Sequence, residues 1–121
     1  FPKSVNVTGI ELDTLNCLVS RAKGYETTEA DFLAWSAANQ IQKFDCVVMN
    51  PPFADNRAKL HLLAAASHLV PGGRLAAVLP LSLQGIDNLL GEGFRTEWMD
   101  TFDNEFDNTA VSVRVLYAER F

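Results

Sequence analysis

A chain of 121 residues, 48% hydrophobic and 21% charged, has the composition of one globular domain large enough to bury a single core. Its net charge of −5 excludes a binder that holds nucleic acid through bulk basicity, so any such grip is local or comes from another segment. No apolar run reaches membrane-spanning length and no signal peptide is visible, so a membrane is not expected as a partner.

The first expected element is a strand over Val5–Leu12, β-branched and continuously apolar. Asp13 is placed to cap a helix, and Leu15, Leu18, Val19 and Ala22 follow at helical spacing, with Arg21 and Lys23 in the last turn and Gly24 as the stop. A short strand over Tyr25–Ala30 ends at Asp31-Phe32, and Leu33–Ile41 is a weaker helical stretch. Phe44–Met49 is a third strand that ends at Asn50-Pro51-Pro52, where two prolines force the backbone out of the sheet.

A helix is expected near Asn56–Val70, burying Leu60, Leu63, Ala64 and Ser67 with Leu62, Ala66 and Leu69 beside them, and Pro71-Gly72-Gly73 is expected to stop it. Arg74–Pro80 is the next apolar strand, and Leu81–Phe94 is a loop with a possible short helix. Glu97–Phe102 and Val111–Glu119 read as strands joined in a hairpin. This alternation predicts an α/β fold with a mostly parallel sheet and a C-terminal antiparallel hairpin, forming one domain over residues 1–121. Ligands of such sheets bind at the carboxyl ends of the strands, which places Glu11, Asp31 and Asn50 on one expected edge.

Asn-Pro-Pro followed by an aromatic residue arises by chance on the order of once in a thousand chains of this size. A rigid turn is the plain reading of Asn50-Pro51-Pro52-Phe53. The chemical reading is more specific. An amino group conjugated to a ring is a poor nucleophile, and two acceptors near its hydrogens favour a pyramidal nitrogen with an available lone pair. The Asn50 side-chain oxygen and the Pro51 carbonyl supply two acceptors, the latter held rigidly because proline fixes φ. Phe53 offers a flat face for a base, and such stacking contributes roughly 1–3 kcal/mol.

Other constellations are weaker. His61 and His68 are expected as partly exposed helix residues without ligand partners, so no metal is expected. Cys17 and Cys46 share no metal-ligand spacing and are expected as small buried thiols in a reducing compartment. Asp103, Glu105 and Asp107 begin like a calcium loop, but Asn108 and Arg114 stand where its glycine and closing glutamate belong.

In order along the chain, Gly9-Ile10-Glu11-Leu12-Asp13, Asp31-Phe32-Leu33-Ala34-Trp35 and Phe44-Asp45 with Asn50-Pro51-Pro52-Phe53 resemble the class I S-adenosylmethionine-dependent methyltransferases. Among these, the N6-adenine DNA methyltransferases are the most similar. The resemblance runs from Val5 to about Val115. It implies a Rossmann-like fold and S-adenosyl-L-methionine as cofactor, with transfer to the N6 amino group of adenine in DNA. It implies that Glu11 bonds the cofactor ribose, that Leu12 packs on its adenine, that Asp31 and Phe32 contact the adenine amino group and ring, and that Asn50, Pro51, Pro52 and Phe53 hold the acceptor. Glu11 and Asp13 compete for the ligand role, with Asp13 the better cap, and Asp31 can also serve as a cap.

The family also has a first strand, a glycine-rich turn and a helix before the strand ending at Glu11. These are expected upstream of Phe1, so the chain is read as an N-terminally truncated catalytic domain, inactive alone. Its target-recognition segment or subunit is expected elsewhere, and its setting is expected to be cytoplasmic, of bacterial, phage or plasmid type. Two other readings stay open: a methyltransferase acting on a ribosomal RNA base or a protein glutamine amide, and an inactive methyltransferase-like binding module.

Overall fold

The computed structural model describes residues 5–52, 56–80, 90–102 and 113–121. They fall into two compact units, residues 1–39 and 40–121.

The first unit runs β1 (Thr8–Glu11), α1 (Thr14–Ala22), β2 (Glu26–Glu29) and α2 (Phe32–Ala38). β1 and β2 pair in parallel, with Glu11 opposite Glu29. Asp13 starts α1 as expected: its Oδ1 accepts from the Asn16 N–H at 2.9 Å. Gly24 ends the turn after α1 at φ 93°, a conformation that suits glycine.

α1 is tied down by polar contacts rather than by its leucines. The Ser20 and Thr27 hydroxyls pair at 2.6 Å, Arg21 Nε donates to the Thr27 carbonyl at 3.0 Å, and the Cys17 thiol donates to the Glu11 carbonyl at 3.2 Å. Cys17 is its buried residue, whereas Leu15, Leu18 and Val19 are 68%, 56% and 46% exposed. The expected apolar stripe therefore exists, but it does not face this unit's core. The expected strand Val5–Leu12 is shortened to Thr8–Glu11, since only those residues have partners in β2.

The second unit runs β3 (Phe44–Met49), α3 (Arg57–Ser67), β4 (Leu69–Pro80), β5 (Phe94–Phe102) and β6 (Val113–Arg120). Its four-stranded sheet has the order β3-β4-β6-β5, with β3 parallel to β4 and the β4–β6 and β5–β6 pairs antiparallel. β3 has the expected bounds, and the expected antiparallel pair is present as β5–β6. Residues 81–89 and 103–112, where the loop and the tip of the hairpin were expected, lie outside the described residues.

α3 buries Ala58, His61, Leu62, Ala65 and Ala66, a face rotated from the expected one, and Leu60 and Leu63 are 50% and 41% exposed. The run Leu60–Ala66 is apolar nearly all round, so its periodicity leaves the facing side ambiguous. Packing selects the side that carries Ala58, Ala65 and Ala66 beside Leu62, and α3 lies against β4. This choice corrects the expectation for both histidines, which are buried, with His68 Nδ1 2.6 Å from the Gln42 carbonyl oxygen.

Pro71-Gly72-Gly73 does not stop the helix. α3 ends at Ser67, and these three residues lie within β4. A Cβ on Gly73 would stand 2.8 Å from the Val70 carbonyl oxygen, so only glycine fits there. The opposite face of the sheet is more open, with Val48 66% exposed and Cys46 exposed rather than buried as expected. Among the described residues, β1 has only β2 as a strand partner and β3 has only β4.

Candidate functional site

In the first unit, Glu11, Leu12, Asp31 and Phe32 gather at the carboxyl edge of the β1–β2 pair. The edge is locked by the Ala30 N–H donating to the Glu11 carbonyl at 3.0 Å. Glu11 Oε1 accepts from the Asp13 N–H at 3.1 Å, which orients its carboxylate at the strand end. Leu12, next to it, is 62% exposed.

Asp31 caps α2, with Oδ2 accepting from the Ala34 N–H at 3.2 Å, and its Oδ1 takes part in no hydrogen bond among the described residues. Phe32 stacks on Trp35 with ring centroids 6.2 Å apart and planes at 20°. The edge thus combines two partly engaged carboxylates with a leucine and an aromatic pair, a mixture suited to a ligand having hydroxyl or amino donors and a flat apolar ring.

Sequence reasoning missed the groups that support this edge. The Thr14 hydroxyl donates to Glu29 Oε2 at 3.0 Å, and the Cys17 thiol supports the Glu11 carbonyl from below. Burial pushes the Cys17 thiol above the ordinary cysteine value, and the carboxylates of Glu29, Glu11 and Asp13 add to this against an opposing effect of Arg21. Glu29 gave no signal because an acidic residue in an exposed strand reads as a solvated surface.

In the second unit, Asn50, Pro51 and Pro52 leave the sheet at the carboxyl end of β3. Asn50 and Pro52 are exposed and Pro51 is buried between them. Phe53 lies outside the described residues. α3 begins shortly after, from Asn56 at φ 60°, without a side-chain cap and with no acidic residue in its first turn. Farther along the same edge, the Arg114 guanidinium carbon lies 3.5 Å from the centroid of the Trp98 ring.

Among the described residues no group of three or more His, Cys, Asp or Glu side chains is arranged to hold a metal ion, and no helix is long and apolar enough to cross a membrane.

A parallel α/β arrangement with an antiparallel C-terminal pair and polar residues at the strand ends defines a Rossmann-like protein. A profile of the methyltransferase small domain family matches residues 2–107, and the chain belongs to that family. No curated protein sequence matches the chain.

Among solved structures it is similar to TrmN from Thermus thermophilus, with a TM-score of 0.69 and 22% identity over 99% of this chain and 38% of that one. An rRNA methylase from Streptococcus thermophilus has a TM-score of 0.65 and 11% identity, over 96% of this chain and 74% of that one. A Streptococcus mutans methyltransferase solved in complex with SAH has a TM-score of 0.62 and 14% identity, over 96% of this chain and 72% of that one. At such identities the likeness establishes the fold, a Rossmann-like methyltransferase fold. The chain spans well under half the length of the Thermus thermophilus protein.

Proposed function

We propose that this chain is the catalytic part of an S-adenosylmethionine-dependent methyltransferase acting on an exocyclic amino nitrogen of a nucleic-acid base. The observation that carries the reading is Asn50-Pro51-Pro52 at the carboxyl end of a parallel strand, with Pro51 buried and Asn50 exposed. Burial fixes the proline, and its neighbour's amide is left free to meet a ligand.

The residues at the edge of the first unit fit the cofactor. The Glu11 carboxylate has a second oxygen for ribose hydroxyls, Leu12 offers an exposed apolar surface to an adenine ring, and Asp31 Oδ1 can accept from the ring's amino group beside Phe32. The bound cofactor would supply a methyl group on a sulfonium, already electrophilic and in need of no metal.

The work of this chain is on the acceptor. The Asn50 side-chain oxygen and the Pro51 carbonyl each accept a hydrogen of the target amino group, which turns its lone pair out of conjugation. Phe53 stacks on the extruded base, and holding nitrogen and methyl in line supplies the rest by proximity. The amino nitrogen would take the methyl group from the bound cofactor, whose sulfur would keep the electron pair of the broken bond, and would then lose one proton to solvent.

Adenine N6 in DNA is the acceptor that the Asn-Pro-Pro-Phe segment favours. A base in ribosomal RNA is the second reading, favoured by the rRNA methylase among the structural neighbours. Transfer of labelled methyl from the cofactor to DNA, RNA and protein by the intact protein, with the region expected upstream of Phe1 included, tests both. Label in a nucleic-acid base supports the proposal, with the polymer deciding between the two readings. Label in protein alone, or in none of the three, overturns it.

A further inference from the structure

Arg114 is out of place for a structural residue. It lies on β6 opposite the fully buried Leu79, on the sheet face where Leu75, Ala77 and Leu116 form the core. An aliphatic side chain would pack there without the cost of half-burying a guanidinium. Its contact with Trp98 at 3.5 Å is close enough that the planar group lies flat on the indole, leaving its N–H donors around the rim.

Among the described residues Arg114 has neither an ion pair nor a hydrogen bond. The contrast is Arg95, which also lies over a ring, that of Tyr117 at 5.8 Å, but is engaged by Glu119 and Glu97. One arginine is consumed by the sheet, and the other is held in place and left available.

Its place along the sheet gives it a use. Met49, Ala77 and Leu116 form one row across β3, β4 and β6, and Arg114 stands two residues beyond that row toward the carboxyl end. At the rise and spacing of strands, this puts it about level with Asn50-Pro51 and roughly 10 Å to the side. Arg57 and Lys59 add positive side chains in the first turn of α3, where the helix dipole disfavours them. This edge of the second unit thus carries local cations on a chain whose net charge is −5.

We propose that Arg114, stacked flat on Trp98, contacts a backbone phosphate of the nucleic acid beside the target base. The inference rests on the nucleic-acid reading above and identifies the local grip that the acidic composition requires. A planar fork of donors suits a phosphate, and roughly 10 Å of separation is comparable to the distance from an extruded base to its flanking phosphates.

Binding of a labelled single-stranded RNA and its DNA counterpart to the intact protein, followed by anisotropy across a salt series, tests it. Arg114→Gln is expected to weaken binding and to reduce the slope of log affinity against log salt by roughly 0.7–0.9, the share of one phosphate. Arg114→Lys, which keeps the charge, is expected to retain the slope. Cofactor affinity is expected to stay within about twofold in both variants, because Arg114 is assigned to the nucleic acid and not to the cofactor.

An unchanged slope in Arg114→Gln overturns the proposal, even where affinity or thermal stability falls, because a packing role moves those without moving the slope. Failure to bind either strand overturns it as well. Methyl transfer, measured on the same samples, separates this from the proposed function. Transfer with an unchanged slope sinks only the Arg114 contact, whereas a changed slope without transfer sinks only the methyltransferase reading.

Discussion

Asp31 is asked to do two things with two oxygens, and substitution can separate them. Oδ2 caps α2 through the Ala34 N–H at 3.2 Å, and Oδ1 is assigned to the cofactor. Asp31→Ala removes both. Losing the cap costs about 1 kcal/mol. With unfolding entropy near 2.1 cal/mol/K per residue, 121 residues give about 0.25 kcal/mol/K, so the midpoint falls by about 4 °C.

Asp31→Asn is the more informative variant. Asparagine caps as well as aspartate, so stability stays within about 0.5 kcal/mol of the parent. Its one side-chain oxygen cannot cap the helix and accept from the cofactor together, and turning the NH2 toward either partner sets donor against donor. One charge-assisted hydrogen bond is lost, about 1.5–3 kcal/mol, or a drop in cofactor affinity of roughly 10- to 150-fold. Thermal unfolding and calorimetry with the cofactor on the intact protein read the two effects apart. An Asp31→Asn variant that unfolds like the parent and binds the cofactor within about twofold of it refutes the two-oxygen reasoning.

The other predictions concern the scaffold. Leu62→Ala empties a fully buried position between α3 and the sheet and should lower stability by about 2–5 kcal/mol in denaturant unfolding, against less than about 1 kcal/mol for the half-exposed Leu60→Ala. A thiol reagent at neutral pH should modify Cys46 rapidly in the native protein and Cys17 only on unfolding, because Cys17 is buried and its thiol is pushed up while Cys46 is exposed.

Glu119 is held below the ordinary glutamate range, chiefly by its hydrogen bond from Arg95. A lowered folded value gives stability that is present above the ordinary glutamate range and lost as pH falls through the folded value. Arg95→Gln should therefore cost stability at neutral pH and converge with the parent in acid. A constant difference between the two across the acid limb would contradict this assignment.

The parts of the fold legible in the sequence were those with a single local cause. Asp13 announced α1, Gly24 ended it, and Asn50-Pro51-Pro52 fixed the end of β3. The carboxyl ends of β1 and β2 brought Glu11 and Asp31 to one edge, as the parallel pattern required. What stayed hidden depended on long-range packing. Leu60 and Leu62 are equally apolar, and only the sheet beneath α3 chooses between them. Cys46 looks buried within an apolar run, yet it occupies the open face of the sheet. Arg114 and Trp98 are sixteen residues apart, so nothing local in the sequence paired them.

The central claim is that Asn50 acts on the acceptor nitrogen. Single-turnover methyl transfer to nucleic acid by the Asn50→Ala protein, with cofactor affinity measured on the same sample, tests it most directly. The account predicts a loss of transfer of at least about a hundredfold, from a missing acceptor in the transition state, with cofactor affinity nearly unchanged. Transfer at the parental rate, or a loss that follows weakened cofactor binding, would contradict it.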